Sequence, residues 1–150
     1  MPGIVRRLDE LFKKTEGPWS ERILAELTGK PSGLPFFPYA VAHDPETVNL
    51  LVQVHQVLEQ DPSPLARETW FWRGFSQLIL RHSDHRIHPR PVHAESTAIA
   101  QARTYLEEQY PTAITLNDLA SHVHFSPFHL LRVFRKATGL PPHAFLNGVR

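Results

Sequence analysis

Apolar residues along this chain recur at steps of three and four and scarcely anywhere alternate, so the pattern predicts helices and requires no strand. Ile4, Leu8, Leu11 and Phe12 share one side of residues 4–15 with charges on the other, and Trp19 to Leu27 offers a second, shorter helical pattern. The run Gly29-Lys30-Pro31-Ser32-Gly33-Leu34-Pro35-Phe36-Phe37-Pro38 cannot be regular structure, because each Pro lacks a donor and pushes its predecessor out of the α region. It reads as a loop with Phe36 and Phe37 as aromatic anchors. Asp44-Pro45-Glu46 then opens a helix with a capping carboxylate, a Pro at the first helical position and an acid in the first turn. Leu51, Val54, His55 and Leu58 share one face of it, which makes His55 a core or interface histidine. Ser63-Pro64 repeats the device, and Leu65, Trp72, Phe75, Ser76 and Ile79 continue to about Arg81, with Trp70, Phe71 and Leu78 broadening the apolar side. Two antiparallel helices joined by Gln60-Asp61-Pro62 follow from this pattern.

Periodicity then stops. The segment from His82 to His93 holds two prolines and no helical repeat, and is read as a linker and domain boundary. From Ala94 the pattern is helical again, with Ile99, Ala102, Leu106 and Tyr110 at steps of three or four, ending before Pro111. Thr115 and Asp118 resemble a capping box with a shortened acid, opening a helix through Leu119, Ala120 and Val123. Ser126-Pro127 starts another, holding Phe128, Leu130, Leu131, Val133 and Phe134 and stopping at Gly139, a residue suited to a left-handed cap. The expected fold is all-α: a helical hairpin over residues 1–81, a linker over 82–93, and over 94–150 a three-helix helix-turn-helix module with the start of a further helix.

Composition narrows the chemistry. The 150 residues contain no cysteine, which removes disulfides, thiolate metal sites and cysteine nucleophiles together. No run of eighteen apolar residues exists, and the charged amino-terminal stretch is unlike a secretory signal, so a cytoplasmic protein without membrane attachment is expected. His82, His85 and His88 recur every three residues and His93 follows, but only Asp84 and Glu95 accompany them; the segment is read as a hydrophilic linker, with no metal and no cofactor. Ser, His and acid are nowhere spaced as a catalytic triad, and no enzyme is expected. A net charge of +1 is too small to name a partner, so a nucleic-acid reading must rest on where the cations sit.

They sit on the last strongly patterned helix. Two helices of about eight to eleven residues joined by a turn of about three or four have the dimensions of a helix-turn-helix. Leu119, Ala120 and Val123 face Leu130, Val133 and Phe134, with Ala120 small enough for the axes to cross closely. Phe128, His129, Arg132, Arg135 and Lys136 occupy the opposite face. Ser126 caps amides that can also meet a phosphate, Arg132 projects where a guanidinium can reach a guanine edge, and Arg135 and Lys136 suit phosphates.

Ala102, Tyr105-Leu106, Tyr110, Ile114 to Ala120, His124-Phe125-Ser126-Pro127-Phe128-His129-Leu130-Leu131-Arg132-Val133-Phe134-Arg135-Lys136-Ala137-Thr138-Gly139 and Leu140 to Leu146 together resemble the first helix-turn-helix of AraC/XylS-type transcription regulators. The resemblance covers about fifty residues. It implies that Phe128, Leu131 and Arg132 face bases while Ser126, His129 and their neighbours lie near the backbone. Leu131 departs from the polar residue some members carry there and offers only apolar contact. His124 holds a turn position often given to Gly, and histidine tolerates positive φ. The resemblance also implies that Pro142 to Arg150 begins a linker helix leading to a second module that is absent. Residues 34–58 are similar, less specifically, to the helical end of a cupin-type sensory domain whose barrel, and with it a small-effector site, is missing. The expected partner is double-stranded DNA, bound weakly by one module unless a homodimer supplies a second recognition helix. A reading from a different class stays open, that of an all-helical protein-interaction or weakly metal-binding module whose helix-turn-helix serves packing. Salt-sensitive DNA retention lost on removing the Arg132 charge separates the two.

Overall fold

The computed structural model describes residues 19–88, 93 and 95–150, and among these it contains seven helices and no strand. They are α1 (Trp19–Thr28), α2 (Pro45–Gln60), α3 (Pro64–His82), α4 (Ser96–Gln109), α5 (Leu116–His122), α6 (Pro127–Thr138) and α7 (Pro142–Val149). The helix expected over residues 4–15 lies outside the described residues. No helix among those described is long and apolar enough to cross a membrane.

The described residues fall into two compact units, 19–61 with 70–88, and 62–69 with 93 and 95–150. Helix α3 contributes to both, which a boundary placed wholly within 82–93 does not anticipate. The reason lies in its first turns, where Leu65, Ala66 and Thr69 are buried and Glu68 accepts from the backbone of α5.

In the first unit, α2 starts as its sequence dictates: Asp44 accepts from the Thr47 amide at 3.2 Å and from its hydroxyl at 2.6 Å, with Pro45 in the first turn. Arg81 Nε and His82 Nε2 of α3 each lie 2.9 Å from Asp44 Oδ2. Further along, Gly74 of α3 meets Val54 of α2 so closely that a Cβ there would stand 2.5 Å from Val54 Cγ2. The start of α2 beside the end of α3, and middle beside middle, define the antiparallel hairpin. The Thr47 hydroxyl, foremost among these contacts, holds the Asp44 carboxyl at about 2, well below the ordinary carboxylate range. Ile23, Leu24, Leu27, Val54, Leu58, Phe71, Trp72 and Ile79 form the core.

Two expectations about this unit need correction. Phe36 and Phe37 are exposed, at 63% and 38%, and do not anchor their loop. Polar bonds do so instead: the Asp84 amide donates to Phe36 O at 3.0 Å, and Thr28 Oγ1 lies 2.8 Å from Ser32 Oγ. His55 is exposed and not a core histidine, because it stands about 100° around the helix from buried Val54, beyond the edge of the apolar stripe.

In the second unit, α4 packs on α5, α6 and α7, and α6 packs on α5 and α7. Its core joins Ile99, Ala102 and Leu106 of α4 to Leu116, Leu119 and Ala120 of α5, Leu130, Val133 and Phe134 of α6 and Leu146 of α7. Phe145 closes edge-on against Phe134 at 5.6 Å, and the Arg103 guanidinium covers Phe145 at 5.3 Å.

Candidate nucleic-acid interface

Two short helices hold a defined angle only if the turn between them is fixed, and here local chemistry fixes it. Thr115 and Asp118 form a reciprocal capping box, Thr115 Oγ1 accepting from the Asp118 amide at 3.0 Å and Asp118 Oδ2 from the Thr115 amide at 3.2 Å. Helix α5 ends in a turn in which the Phe125 amide donates to Ala120 O at 2.9 Å and His124 takes φ 58°. His124 is the one described residue other than glycine with positive φ, so the position a glycine often fills is met by a histidine. Ser126 then caps α6, accepting from the His129 amide at 3.3 Å with Pro127 following, and Gly139 closes the helix at φ 76°.

Buried Leu130, Val133 and Phe134 face inward from α6, so helical spacing places Phe128, Arg132 and Arg135, at i, i+4 and i+7, on the side turned away from the core. Leu131 and Lys136 flank that row, and the helix carries no acid. The Arg132 guanidinium lies 5.6 Å from the centroid of the Phe128 ring, a cation stacked on an aromatic face. Partial burial lowers its pKa from the ordinary arginine value, yet a guanidinium stays charged in water at any neutral pH. Arg135 and Lys136 are exposed, and Ser126 is exposed at the amino end. His129 Nε2 pairs with Glu95 Oε1 at 3.0 Å, and its ring meets Phe125 edge-on at 4.7 Å. The structure therefore brings Phe128, Arg132 and Arg135 together as one surface, with Ser126, Leu131 and Lys136 around it, and ties His129 back to the start of α4.

Glu68 was invisible to sequence reasoning. Its Oε2 accepts from the Leu116 amide and, at 3.3 Å, from the Asn117 amide, capping the first turn of α5 from α3. Burial pushes its pKa up to about 7, against the opposing pull of the two amides. A carboxylate partner 48 positions away leaves no trace in local spacing. Among the described residues no group of three His, Cys, Asp or Glu is placed to hold a metal ion.

Comparison with known proteins bears on this surface directly. Residues 106–147 match the family model described as bacterial regulatory helix-turn-helix proteins, AraC family. The chain is 30% identical over 130 residues to the uncharacterized HTH-type transcriptional regulator YbfI of Bacillus subtilis (strain 168), covering 87% of this chain and 46% of that protein. It is 25% identical over 71 residues to the uncharacterized HTH-type transcriptional regulator YfiF of the same organism, covering 47% of this chain and 23% of that protein. The chain thus spans less than half the length of either relative. No solved structure matches it significantly. With its capping box, its fixed turn and its match over 106–147, the carboxyl-terminal segment of this chain is an AraC-family helix-turn-helix.

Proposed function

We propose that this chain is a DNA-binding transcription regulator, and not an enzyme, which inserts α6 into the major groove of double-stranded DNA. The single observation that carries the reading is the outward row of Phe128, Arg132 and Arg135 on a helix held by caps at both ends. Stacking on Phe128 restricts the long Arg132 side chain, so less freedom is lost when its guanidinium meets the two acceptors of a guanine edge. Phe128 and Leu131 offer apolar contact to bases, for instance to a thymine methyl. Arg135 and Lys136 near the carboxyl end, and the amides beside Ser126 at the amino end, suit phosphates. His129 contributes a backbone contact only through its other ring nitrogen or after parting from Glu95. On this reading residues 94–150, together with the first turns of α3, form the DNA-reading unit, and the rest of the hairpin belongs to a separate one.

The test is retention of the 150-residue chain on duplex DNA at low salt. Wild type should be retained and released as salt rises, and the double variant Arg132→Ala/Arg135→Ala should lose retention while keeping its helical circular dichroism. Undiminished retention of the folded double variant would refute the assignment to α6.

A further inference from the structure

Within the first unit, a cavity of about 480 Å³ opens between the end of α1 and the segment that follows α3. Its size falls in the range of about 300–1,000 Å³ usual for small-molecule pockets. Lys30 and Arg86 line it with two imidazoles, His85 and His88, and two hydroxyls, Thr28 and Ser32; no Asp or Glu is among the described lining residues. A concave surface with two cations and no acid among its described lining has one complementary class of ligand, an anion.

The lining is also held in place. Thr28 Oγ1 donates to the Leu24 carbonyl at 2.8 Å, ending α1, and lies 2.8 Å from Ser32 Oγ, while Ser32 Oγ lies 3.0 Å from the Lys30 carbonyl. These bonds fix the turn that carries Lys30. On the opposite wall the Asp84 amide is bonded to Phe36 O, and His85 Nδ1 is buried, 2.9 Å from Asp84 Oδ1 but without a hydrogen-bond partner.

We infer that this cavity binds a small anion through Lys30 and Arg86, with a phosphate or carboxylate head group between the two cations and His85 and His88 as further donors. The site is remote in sequence from the helix-turn-helix, does not rest on the DNA reading, and departs from the expectation that the chain has no small-ligand site.

All three tryptophans belong to this unit, so fluorescence-detected melting reports on it. The chain is melted in increasing inorganic phosphate, in increasing succinate, and in sodium chloride at matched ionic strength. A saturable rise in the midpoint is expected with at least one oxyanion and not with chloride, because a ligand of the folded state alone raises stability with its concentration. Phosphate against succinate tells which head group the site takes. The rise should vanish in Lys30→Gln/Arg86→Gln, whose DNA surface is untouched, and shrink in each single variant should the double variant fold poorly. No rise beyond chloride with either anion, or a rise that persists in the variants, would overturn the inference.

Discussion

Glu68 is the residue whose chemistry and position pull hardest against each other. Two backbone amides at the start of α5 favour its ionised form, and burial, the larger effect, disfavours it and raises the pKa from 4.5 to about 7. An acid whose folded pKa lies above its unfolded value stabilises the fold fully below the unfolded value, and that contribution is lost as pH rises through the folded one. For Glu68 the window runs from about pH 4.5 to about pH 7, and the shift corresponds to roughly 3 kcal/mol. Glu68→Gln keeps an oxygen for the Leu116 and Asn117 amides and cannot ionise. Its stability relative to wild type, from denaturant unfolding followed by circular dichroism, should therefore improve between pH 5 and pH 8 by up to about 3 kcal/mol. A gap independent of pH would mean that the amides keep the carboxylate ionised throughout.

At the scale of elements, the hairpin of α2 and α3 depends on close approach at Gly74. Glycine within a helix ordinarily costs about 1 kcal/mol relative to alanine, so Gly74→Ala in an open helix would stabilise. Here the added Cβ would stand 2.5 Å from Cγ2 of buried, β-branched Val54, which has little freedom to turn aside. Overpacking costs about 1–3 kcal/mol, so Gly74→Ala should lower stability, and in a Val54→Ala background the same change should raise it. Stabilisation by Gly74→Ala alone would show that the helices separate without cost. This element also shows why some features could be read in advance and others not. Asp44, Ser63, Thr115, Ser126 and Gly139 act on amides or carbonyls within about four residues, so spacing revealed each helix end they mark. Val54 against Gly74, Asp44 against Arg81, and Glu68 against Leu116 join distant parts of the chain, and no local spacing encodes them. The outer row of α6 was readable for the first reason, since Phe128, Arg132 and Arg135 follow helical spacing once Leu130, Val133 and Phe134 are assigned inward. The exposure of Phe36 and Phe37, and of His55, which rules out a core place for that histidine, is not encoded locally, because apolar neighbours in sequence do not fix how far a buried stripe extends.

For the whole molecule, the proposed reading gives the described residues one recognition helix, α6. A single module of this kind buries about 600–1,000 Å² on DNA, so a monomer should bind weakly, toward about 10⁻⁴–10⁻⁶ M, and with a steep dependence on salt. Arg135→Ala should reduce the slope of log affinity against log salt by about one on any duplex, measured by fluorescence anisotropy. An unchanged slope would remove Arg135 from the phosphate contacts. Nanomolar binding by a dimer would mean that symmetry supplies a second recognition helix.

The central claim is that α6 reads bases through Arg132. Duplexes selected from a random pool by the wild-type chain, and scrambled versions of them, can be titrated at one fixed salt concentration with wild type and with Arg132→Ala. The variant should lose about 1–3 kcal/mol on the selected duplex and little on the scrambled one. Equal loss on both would reassign Arg132 to the phosphate backbone, and no loss on either would contradict the placement of α6 in the groove.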